Sequence, residues 1–134
     1  MKHKAKLILY VDDDPDDREF LSYAFKTISP ETKVVLAEDG VKALDYLNST
    51  EAHKVGLPCL IVLDLNMPYL DGRETYQRIQ TNPALQNIPT IVFTSSLNPH
   101  DKAFFNSLGI ELITKPDNIA YMNKIASHML QACA

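Results

Sequence analysis

Acidic, hydroxyl and ammonium side chains follow short apolar runs at four separate places in this chain. Asp12 and Asp13 follow the first run, Asp64 the second, Thr94 the third and Lys115 the fourth. If each run is a strand of one open parallel sheet, the carboxyl ends of those strands line a single crevice. Three carboxylates beside an ammonium suit a divalent cation and a phosphoryl group. We therefore predict one site for phosphoryl chemistry at this edge of the sheet.

Each of these residues also has a simpler explanation when it is taken alone. Acids before a helix are common as solvated caps, a threonine at a strand end often reflects β-propensity, and a lysine after an apolar strand usually extends to water. Asp64 is a sharper signal, because a carboxylate directly after a buried strand loses hydration unless another group compensates. The coincidence of four strand ends favours a shared site.

Short apolar runs alternate with segments of helical periodicity, which is typical of a parallel sheet with helices on both faces. The predicted strands are residues 6–12, 33–38, 58–64, 89–94 and 110–114. Helices are predicted to begin near Asp14, Asp39, Asp71, Asn98 and Asp117. Residues 51–57 are polar and are predicted to form a loop. We therefore expect an α/β fold with five strands and five helices.

The composition indicates one globular domain. The chain has 134 residues, of which 46% are apolar and 22% are charged. No apolar run approaches the roughly 20 residues that cross a bilayer, and the basic start of the chain lacks the cleavage site of a signal peptide. We therefore expect a cytoplasmic protein that does not associate with membranes. A net charge of -4 with scattered lysines argues against direct binding to nucleic acid.

The cysteines and histidines show no spacing typical of a metal site or a disulfide framework. Cys59 opens an apolar run and Cys133 lies one residue from the end, so we expect one buried thiol and one thiol in a frayed tail. The histidines are scattered, and we assign all of them to the surface: His3, His53, His100 and His128.

Four segments, in this order, resemble the receiver domain of two-component response regulators: YVDDD, IVLDLNMP, IVFTS and ITKP. The resemblance covers about residues 6–131. Alternating strands and helices do not fix the strand order, but the resemblance implies a doubly wound, flavodoxin-like parallel sheet of order 2-1-3-4-5. It also implies that residues 1–134 are a single, stand-alone, CheY-like receiver domain without an effector domain.

The resemblance assigns roles to the acids at the strand ends. Asp64 would be the phosphorylated residue. Mg²⁺, or Mn²⁺, would be bound directly by Asp13, Asp64 and the backbone carbonyl of Asn66, and largely through water by Asp12. Such a cation would relieve the repulsion among the crowded carboxylates.

Further residues of the site follow from the same resemblance. Thr94 and Lys115 would stabilise the oxygens of the phosphoryl group during transfer. The Lys115–Pro116 peptide bond is cis in the family, which would aim the lysine inward. Asn66 and Ser96 occupy positions that tune hydrolysis of the acyl phosphate, and a small Ser96 leaves the path of water open.

The chain departs from the family pattern at Leu112. The family usually has a tyrosine or phenylalanine three residues before the lysine, and that ring rotates as the threonine moves toward the phosphoryl group. Leu112 therefore removes the usual aromatic link from Thr94 to the surface of the fourth helix, fifth strand and fifth helix. Phe104 or Phe105 could substitute for it.

The resemblance implies a regulator that accepts a phosphoryl group on Asp64 from a histidine kinase or a histidine phosphotransfer protein. Such a protein assists its own phosphorylation and dephosphorylation but is not otherwise an enzyme. It would signal by docking to an unidentified downstream protein or by phosphorelay, and a homodimer could form through the fourth helix, fifth strand and fifth helix. The segments DLNMP and IVFTSS also resemble those of single-domain regulators paired with phytochrome-type kinases.

Two other functions are compatible with an aspartate at a strand end. A phosphatase or phosphotransferase of the haloacid-dehalogenase type needs a second aspartate two residues later as general acid, where this chain has Asn66. A receiver-like interaction module that takes no phosphoryl group is the other possibility. Turnover of a generic phosphate monoester would favour the enzyme, and failure to take label from a small phosphodonor would favour the inert module.

Overall fold

A sheet of five parallel strands forms the centre of the computed structural model, which describes residues 6–133. In chain order the strands are β1 (Leu7–Val11), β2 (Lys33–Ala37), β3 (Leu60–Leu63), β4 (Thr90–Thr94) and β5 (Glu111–Thr114). Their spatial order is β2-β1-β3-β4-β5, and every neighbouring pair is parallel. This confirms the doubly wound, flavodoxin-like order 2-1-3-4-5.

Helices connect the strands and cover both faces of the sheet. They are α1 (Pro15–Ile28), α2 (Gly40–Leu47), α3 (Thr50–Val55), α4 (Gly72–Gln80), α5 (Pro99–Ser107) and α6 (Met122–Leu130), with 3-10 turns at Ile119–Tyr121 and Gln131–Cys133. All five predicted helices are present, and α3 is additional. Within residues 6–133, no helix is both long enough and apolar enough to cross a membrane.

Helix α3 corrects the prediction of a loop over residues 51–57. The Ser49 hydroxyl accepts a hydrogen bond from the Ala52 N–H and so caps this helix. Ala52 is buried and anchors the helix to the core, and Gly56, with φ of 121°, ends it in a conformation that favours glycine. A single buried alanine is too weak an apolar pattern to predict a helix from sequence.

The sheet separates two apolar cores, one on each face. Leu9 and Val11 of β1 belong to the core shared with α2, α4 and α5, whereas Ile8 and Tyr10 belong to the core shared with α1 and α6. This alternation follows from the pleat of a strand, which directs successive side chains to opposite faces. Because β1 and β3 are covered on both faces, their sequences are continuously apolar.

Helix α1 buries a narrower stripe than its sequence predicts. Leu21, Ala24 and Phe25 are buried in the core shared with α6. Phe20 and Ile28 are each 38% exposed, although the sequence predicts them as core. These two residues lie at the margins of the buried stripe.

Capping side chains fix where the helices around the sheet edge begin. Asp14 accepts hydrogen bonds from the backbone N–H groups of Asp16 and Asp17 at the start of α1. Asn98 accepts one from the Asp101 N–H at the start of α5. Since α1 and α5 follow the carboxyl ends of β1 and β4, these caps also fix the loops at that edge.

Gly72 allows α4 to begin against the backbone that follows β3. A Cβ at this position would overlap the carbonyl oxygen of Asp64 and the Cα of Leu65. The Gly72 N–H donates to the Leu65 carbonyl at 2.9 Å. A larger residue would therefore push α4 away from the end of β3.

Cys59 and Cys133 form a disulfide, so the prediction of two free thiols is wrong. Their Cα atoms lie 5.1 Å apart, although 74 residues separate them in sequence. Cys59 precedes β3 at the amino end of the sheet, and the turn after α6 returns Cys133 to the same place. The sequence could not predict the pair, because the pairing depends on where α6 leaves the end of the chain.

Candidate functional site

The carboxyl ends of four strands bring the predicted site residues together. Val11 and Leu63 are register partners, so Asp12 and Asp64, one residue further along, lie side by side. The backbone continues this pairing, since the Asp64 N–H donates to the Val11 carbonyl at 2.9 Å. On the other side, the Lys115 N–H donates to the Thr94 carbonyl at 2.9 Å. The sheet ladder therefore holds the backbone beneath the site.

Asp12, Asp13 and Asp64 form a cluster of carboxylates. One oxygen from each lies within 4.8 Å of the others. Asp12 and Asp64 are buried, whereas Asp13 is exposed at the rim. A set of oxygen ligands crowded with like charge fits a hard divalent cation, which would reduce the repulsion. The backbone carbonyl of Asn66, predicted as a further ligand, belongs to the loop two residues beyond Asp64.

Three carboxylates surround the ammonium of Lys115. Its Nζ lies 2.7 Å from Asp12 Oδ2, 2.8 Å from Asp17 Oδ2 and 3.4 Å from Asp64 Oδ2. The lysine side chain is only 8% exposed. Lys115 therefore points into the site rather than to water, the direction a lysine after an apolar strand would usually take.

The Lys115–Pro116 bond is not cis, which corrects the expectation from the resemblance. No peptide bond within residues 6–133 is cis. A trans bond is the lower-energy form before proline by about 0.5–1 kcal/mol. The lysine still points inward, because the carboxylates attract its ammonium and its Nζ passes 6.0 Å from the centroid of the Phe93 ring.

Burial and neighbouring charge perturb the ionisation of the two central groups. Burial and the charge of Asp12 raise the pKa of Asp64 to about 6, against the opposing effects of Lys115, the Thr94 hydroxyl and the Leu65 N–H. Burial alone would lower the pKa of Lys115, but hydrogen bonds to Asp12 and Asp17 outweigh it, and its pKa is raised. Lys115 therefore stays charged beside an Asp64 that is ionised at neutral pH.

Tyr10 is a site residue that the sequence analysis missed. Its hydroxyl donates to Asp12 Oδ2 at 2.6 Å, and the ring is fully buried. Burial, followed by the charge of Asp12, raises the pKa of the Tyr10 hydroxyl, which remains a donor. Asp12 Oδ1 also accepts a hydrogen bond from the Asp14 N–H at 2.9 Å. Both oxygens of Asp12 are thus engaged by the protein.

Asp17 is a second residue that the sequence analysis missed. The sequence explains Asp16 and Asp17 as acids that favour the amino end of a helix. In the structure, Asp17 reaches Lys115 from the first turn of α1, whereas Asp16 is exposed. Tyr10 could have been found from sequence, because residues two apart on a strand share a face. Asp17 could not, because its contact depends on how α1 lies against the sheet.

The Ser96 backbone carbonyl joins two loops at the mouth of the site. The Thr94 hydroxyl donates to it at 3.3 Å and Asn66 Nδ2 donates to it at 3.4 Å. Thr94 is buried, whereas Asn66 and Ser96 are exposed. The two residues predicted to tune hydrolysis therefore lie together on the solvent side of the site.

Leu112 lies on β5, facing the core shared with α2, α4 and α5. It is half-buried and is the register partner of Val92. The aromatic rings near it come from α4 and α5. Phe105 packs edge-on against Tyr76 and Phe104, with ring centroids 5.6 Å and 5.0 Å away. The aromatic side chains on this side of the sheet thus sit on helices rather than at position 112.

The histidines of the described chain are on the surface, as predicted. His53, His100 and His128 are exposed, and His3 lies outside the described residues. His128 Nε2 lies 2.6 Å from Glu111 Oε2, which links α6 to the edge strand β5. None of these three histidines belongs to the carboxylate cluster.

Comparison with known proteins identifies the pattern of this site. The family model for the response regulator receiver domain matches residues 8–126. The chain is 34% identical over 122 residues to the response regulator Rcp1 of Synechocystis sp., covering 90% of this chain and 83% of that protein.

Solved structures show the same likeness. The phosphorylated cyanobacterial phytochrome response regulator RcpA matches with a TM-score of 0.84 and 32% identity, over 94% of this chain and 91% of that chain. The Mn²⁺-bound form of Rcp1 matches with a TM-score of 0.81 and 32% identity, over 94% of this chain and 92% of that chain.

Proposed function

Since the chain belongs to the response regulator receiver domain family, we propose that it is a stand-alone phosphoacceptor whose phosphorylated residue is Asp64. Receiver domains of this family receive phosphoryl groups from histidine kinases. The observation that carries the proposal is the convergence of Lys115 and the carboxylates of Asp12 and Asp13 on Asp64 at one edge of the sheet. Its relative Rcp1, of which the chain covers 83%, supports the stand-alone role.

The proposed reaction transfers a phosphoryl group to a carboxylate. An oxygen of Asp64 attacks the phosphorus of a phosphohistidine, the P–N bond breaks as the new P–O bond forms, and the histidine nitrogen takes up a proton. The Lys115 ammonium and the Thr94 hydroxyl stabilise the charge on the phosphoryl oxygens. The position of Lys115 Nζ, 3.4 Å from Asp64 Oδ2, supports this role.

We propose that Asp13, Asp64 and the backbone carbonyl of Asn66 bind Mg²⁺ or Mn²⁺ directly, and that Asp12 does so through water. A bound cation would supply positive charge to the phosphoryl oxygens. The all-oxygen cluster supports the site. The hydrogen bonds of Asp12 to Tyr10 and to the Asp14 N–H support an indirect role for Asp12.

The proposed output depends on the lifetime of the acyl phosphate and on docking. We propose that Asn66 and Ser96, both exposed, tune the approach of water to the acyl phosphate. We also propose that the protein assists its own phosphorylation and dephosphorylation but catalyses no other reaction. The phosphorylated form signals to a downstream protein, or relays its phosphoryl group, through the surface of α5, β5 and α6, which is also the surface of a possible homodimer.

We further propose the source of the phosphoryl group. The likeness to the phytochrome response regulator RcpA supports a histidine kinase of the phytochrome type, acting directly or through a phosphotransfer protein. The exchange takes place in the cytoplasm in this proposal, and neither nucleic acid nor membrane takes part in it.

Incubation with acetyl phosphate and Mg²⁺, followed by intact-protein mass spectrometry, tests the proposal. We expect one added phosphoryl group on the wild type, none on Asp64→Asn and none in excess chelator. Asp45→Asn removes one exposed carboxylate from α2 and is the matched control, which should label normally. Failure of the wild type to label would favour an inert module, and turnover of p-nitrophenyl phosphate would favour a phosphatase.

A further inference from the structure

Among residues 6–133, Asp17 is the one carboxylate around Lys115 that comes from a helix rather than from a strand end. Its Oδ2 lies 2.8 Å from Lys115 Nζ, close to the 2.7 Å of Asp12 and shorter than the 3.4 Å of Asp64. The side chain of Asp17 is 26% exposed and that of Lys115 is 8% exposed. Water therefore competes little for this ion pair.

Charge balance does not account for a third carboxylate. Asp12 and Asp64, both almost fully buried, already offer two negative charges to the single positive charge of Lys115. Asp17 adds another negative charge to a region already crowded with acids, and like charges at short range repel. If Asp17 contributes to the site, it must therefore do so by fixing the position of the Lys115 ammonium.

The geometry of an ammonium group gives the hydrogen bonds that it donates defined directions. Its three N–H bonds are evenly spaced around the Cε–Nζ axis, and all three are donors. Asp17 accepts one of these N–H bonds at 2.8 Å, and Asp12 lies 2.7 Å from the same nitrogen as an ion-pair partner. Together these two carboxylates restrict the direction of the remaining donor. Asp64 is the remaining partner, and its 3.4 Å distance exceeds the roughly 2.7–2.9 Å of a strong charge-assisted hydrogen bond. The third N–H is therefore only partly used in the unphosphorylated protein.

We infer that Asp17 is a positioning residue, which fixes the Lys115 ammonium so that its third N–H meets a phosphoryl oxygen on Asp64. The inference rests on the proposed function and adds to it a residue of α1. Since Asp17 belongs to α1 and Lys115 follows β5, the position of that helix against the sheet becomes part of the site.

The test compares rates of labelling by acetyl phosphate at saturating Mg²⁺ in the wild type, Asp17→Ala, Asp17→Glu and Asp16→Ala. A misplaced group slows a transfer step without weakening binding of the donor. We expect Asp17→Ala to lower the maximal rate about tenfold at an unchanged half-saturating donor concentration. Asp17→Glu, which restores a carboxylate, should recover most of the rate.

Asp16→Ala is the matched control, because Asp16 is an exposed acid on the same helical turn. It should label like the wild type. Thermal melting shows whether each variant is folded at the assay temperature. If Asp17→Ala is unfolded at that temperature, Asp17→Asn replaces it, because asparagine keeps the size of the side chain and removes its charge. The expected loss of rate and of the Lys115 signal is then the same.

A second measurement observes the lysine itself. The ¹H–¹⁵N signal of a lysine ammonium is visible only when its protons exchange slowly with water, as in a held and buried group. We expect the Lys115 signal in the wild type and in Asp16→Ala, and its loss in Asp17→Ala.

The outcomes separate this inference from the proposed function. A wild type that takes no label would overturn the proposed function and the inference with it. A labelled wild type with an equally fast or faster Asp17→Ala would overturn the inference alone. The same conclusion follows if Asp16→Ala slows as much as Asp17→Ala, or if the Lys115 signal persists without Asp17.

Discussion

The Tyr10 hydroxyl lies 2.6 Å from Asp12 Oδ2, and both side chains are fully buried. Tyr10 lies on β1 and Asp12 directly follows the strand, where its N–H still donates to the Ala37 carbonyl at 3.0 Å. Because residues two apart on an extended chain share a face, both side chains point the same way. Lys115 Nζ contacts the same Asp12 oxygen at 2.7 Å. Tyr10 thus shares the buried charge of Asp12 with the lysine that we assign to phosphoryl stabilisation.

Tyr10→Phe should destabilise the fold, because it removes a hydrogen bond to a buried charged acceptor. We expect a loss of about 2 kcal/mol in the free energy of unfolding, measured by urea titration with chelator present. Tyr23→Phe is the matched control, since Tyr23 is 73% exposed, and it should leave the midpoint unchanged. Equal midpoints for Tyr10→Phe and the wild type would show that the contact contributes nothing.

Reduction of the Cys59–Cys133 disulfide should destabilise the protein without abolishing labelling. The bond closes a loop over 74 residues of sequence. Opening this loop raises the entropy of the unfolded chain, which lowers the free energy of unfolding by about 4 kcal/mol. We expect dithiothreitol to lower the melting temperature of the wild type but not of the double variant Cys59→Ser/Cys133→Ser.

Labelling at Asp64 should survive reduction, because Cys59 precedes β3 and Asp64 follows it, at the opposite end of the strand. Titration of thiols in the unfolded, unreduced protein checks the pairing itself. Two reactive thiols would contradict the disulfide.

The stability of the metal-free protein should depend on the ionisation of Asp64. Burial and the charge of Asp12 raise the pKa of Asp64 to about 6, above the roughly 3.9 of an unfolded aspartate. A carboxyl group with a raised folded pKa contributes stability below its unfolded pKa and loses that contribution as pH rises through the folded pKa. We therefore expect Asp64→Asn to gain stability over the wild type between about pH 4 and pH 7, by about 3 kcal/mol.

Unfolding of both proteins in chelator, followed across this pH range, measures the effect. Asp45→Asn controls for the loss of one carboxylate at an exposed position. A difference between Asp64→Asn and the wild type that does not change with pH would contradict the raised pKa.

Activation should spread from Thr94 through the loop before α5 rather than through position 112. The Thr94 hydroxyl donates to the Ser96 carbonyl in the unphosphorylated protein, and turning it toward a phosphoryl group would break that bond. A ligand shifts a two-state element only through contacts that differ between the states. We expect beryllofluoride with Mg²⁺ to change backbone chemical shifts mainly over residues 94–108 and near Lys115.

Two variants distinguish the routes. The response should be lost in Thr94→Ala and retained in Leu112→Ala, because the Leu112 side chain packs against the apolar core shared with α2, α4 and α5. If folded Leu112→Ala bound beryllofluoride but gave no response in α5, strand β5 would be the route.

The strand-end residues could be predicted from sequence because their positions follow from local patterns. Apolar runs that end in Asp12, Asp64 and Thr94 place those side chains at one edge of any parallel sheet. The strand order needed the family resemblance, since alternation of strands and helices permits several orders.

The remaining features depend on tertiary placement. The contact of Asp17 with Lys115 requires the orientation of α1 against the sheet, and the Cys59–Cys133 pair requires the end point of α6. These are relationships between elements, which residue types and local spacing do not encode.

Mapping the phosphoryl group to a residue tests the central claim most directly. After labelling with acetyl phosphate and Mg²⁺, borohydride reduces an aspartyl phosphate to homoserine. Trypsin, which cleaves after Lys54 and after Arg73, then releases the peptide of residues 55–73. This peptide contains two acids, Asp64 and Asp71, which fragmentation distinguishes. We expect homoserine at position 64 alone. Homoserine at position 71, 12 or 13 with an unmodified Asp64 would contradict the assignment of Asp64 as the phosphorylated residue.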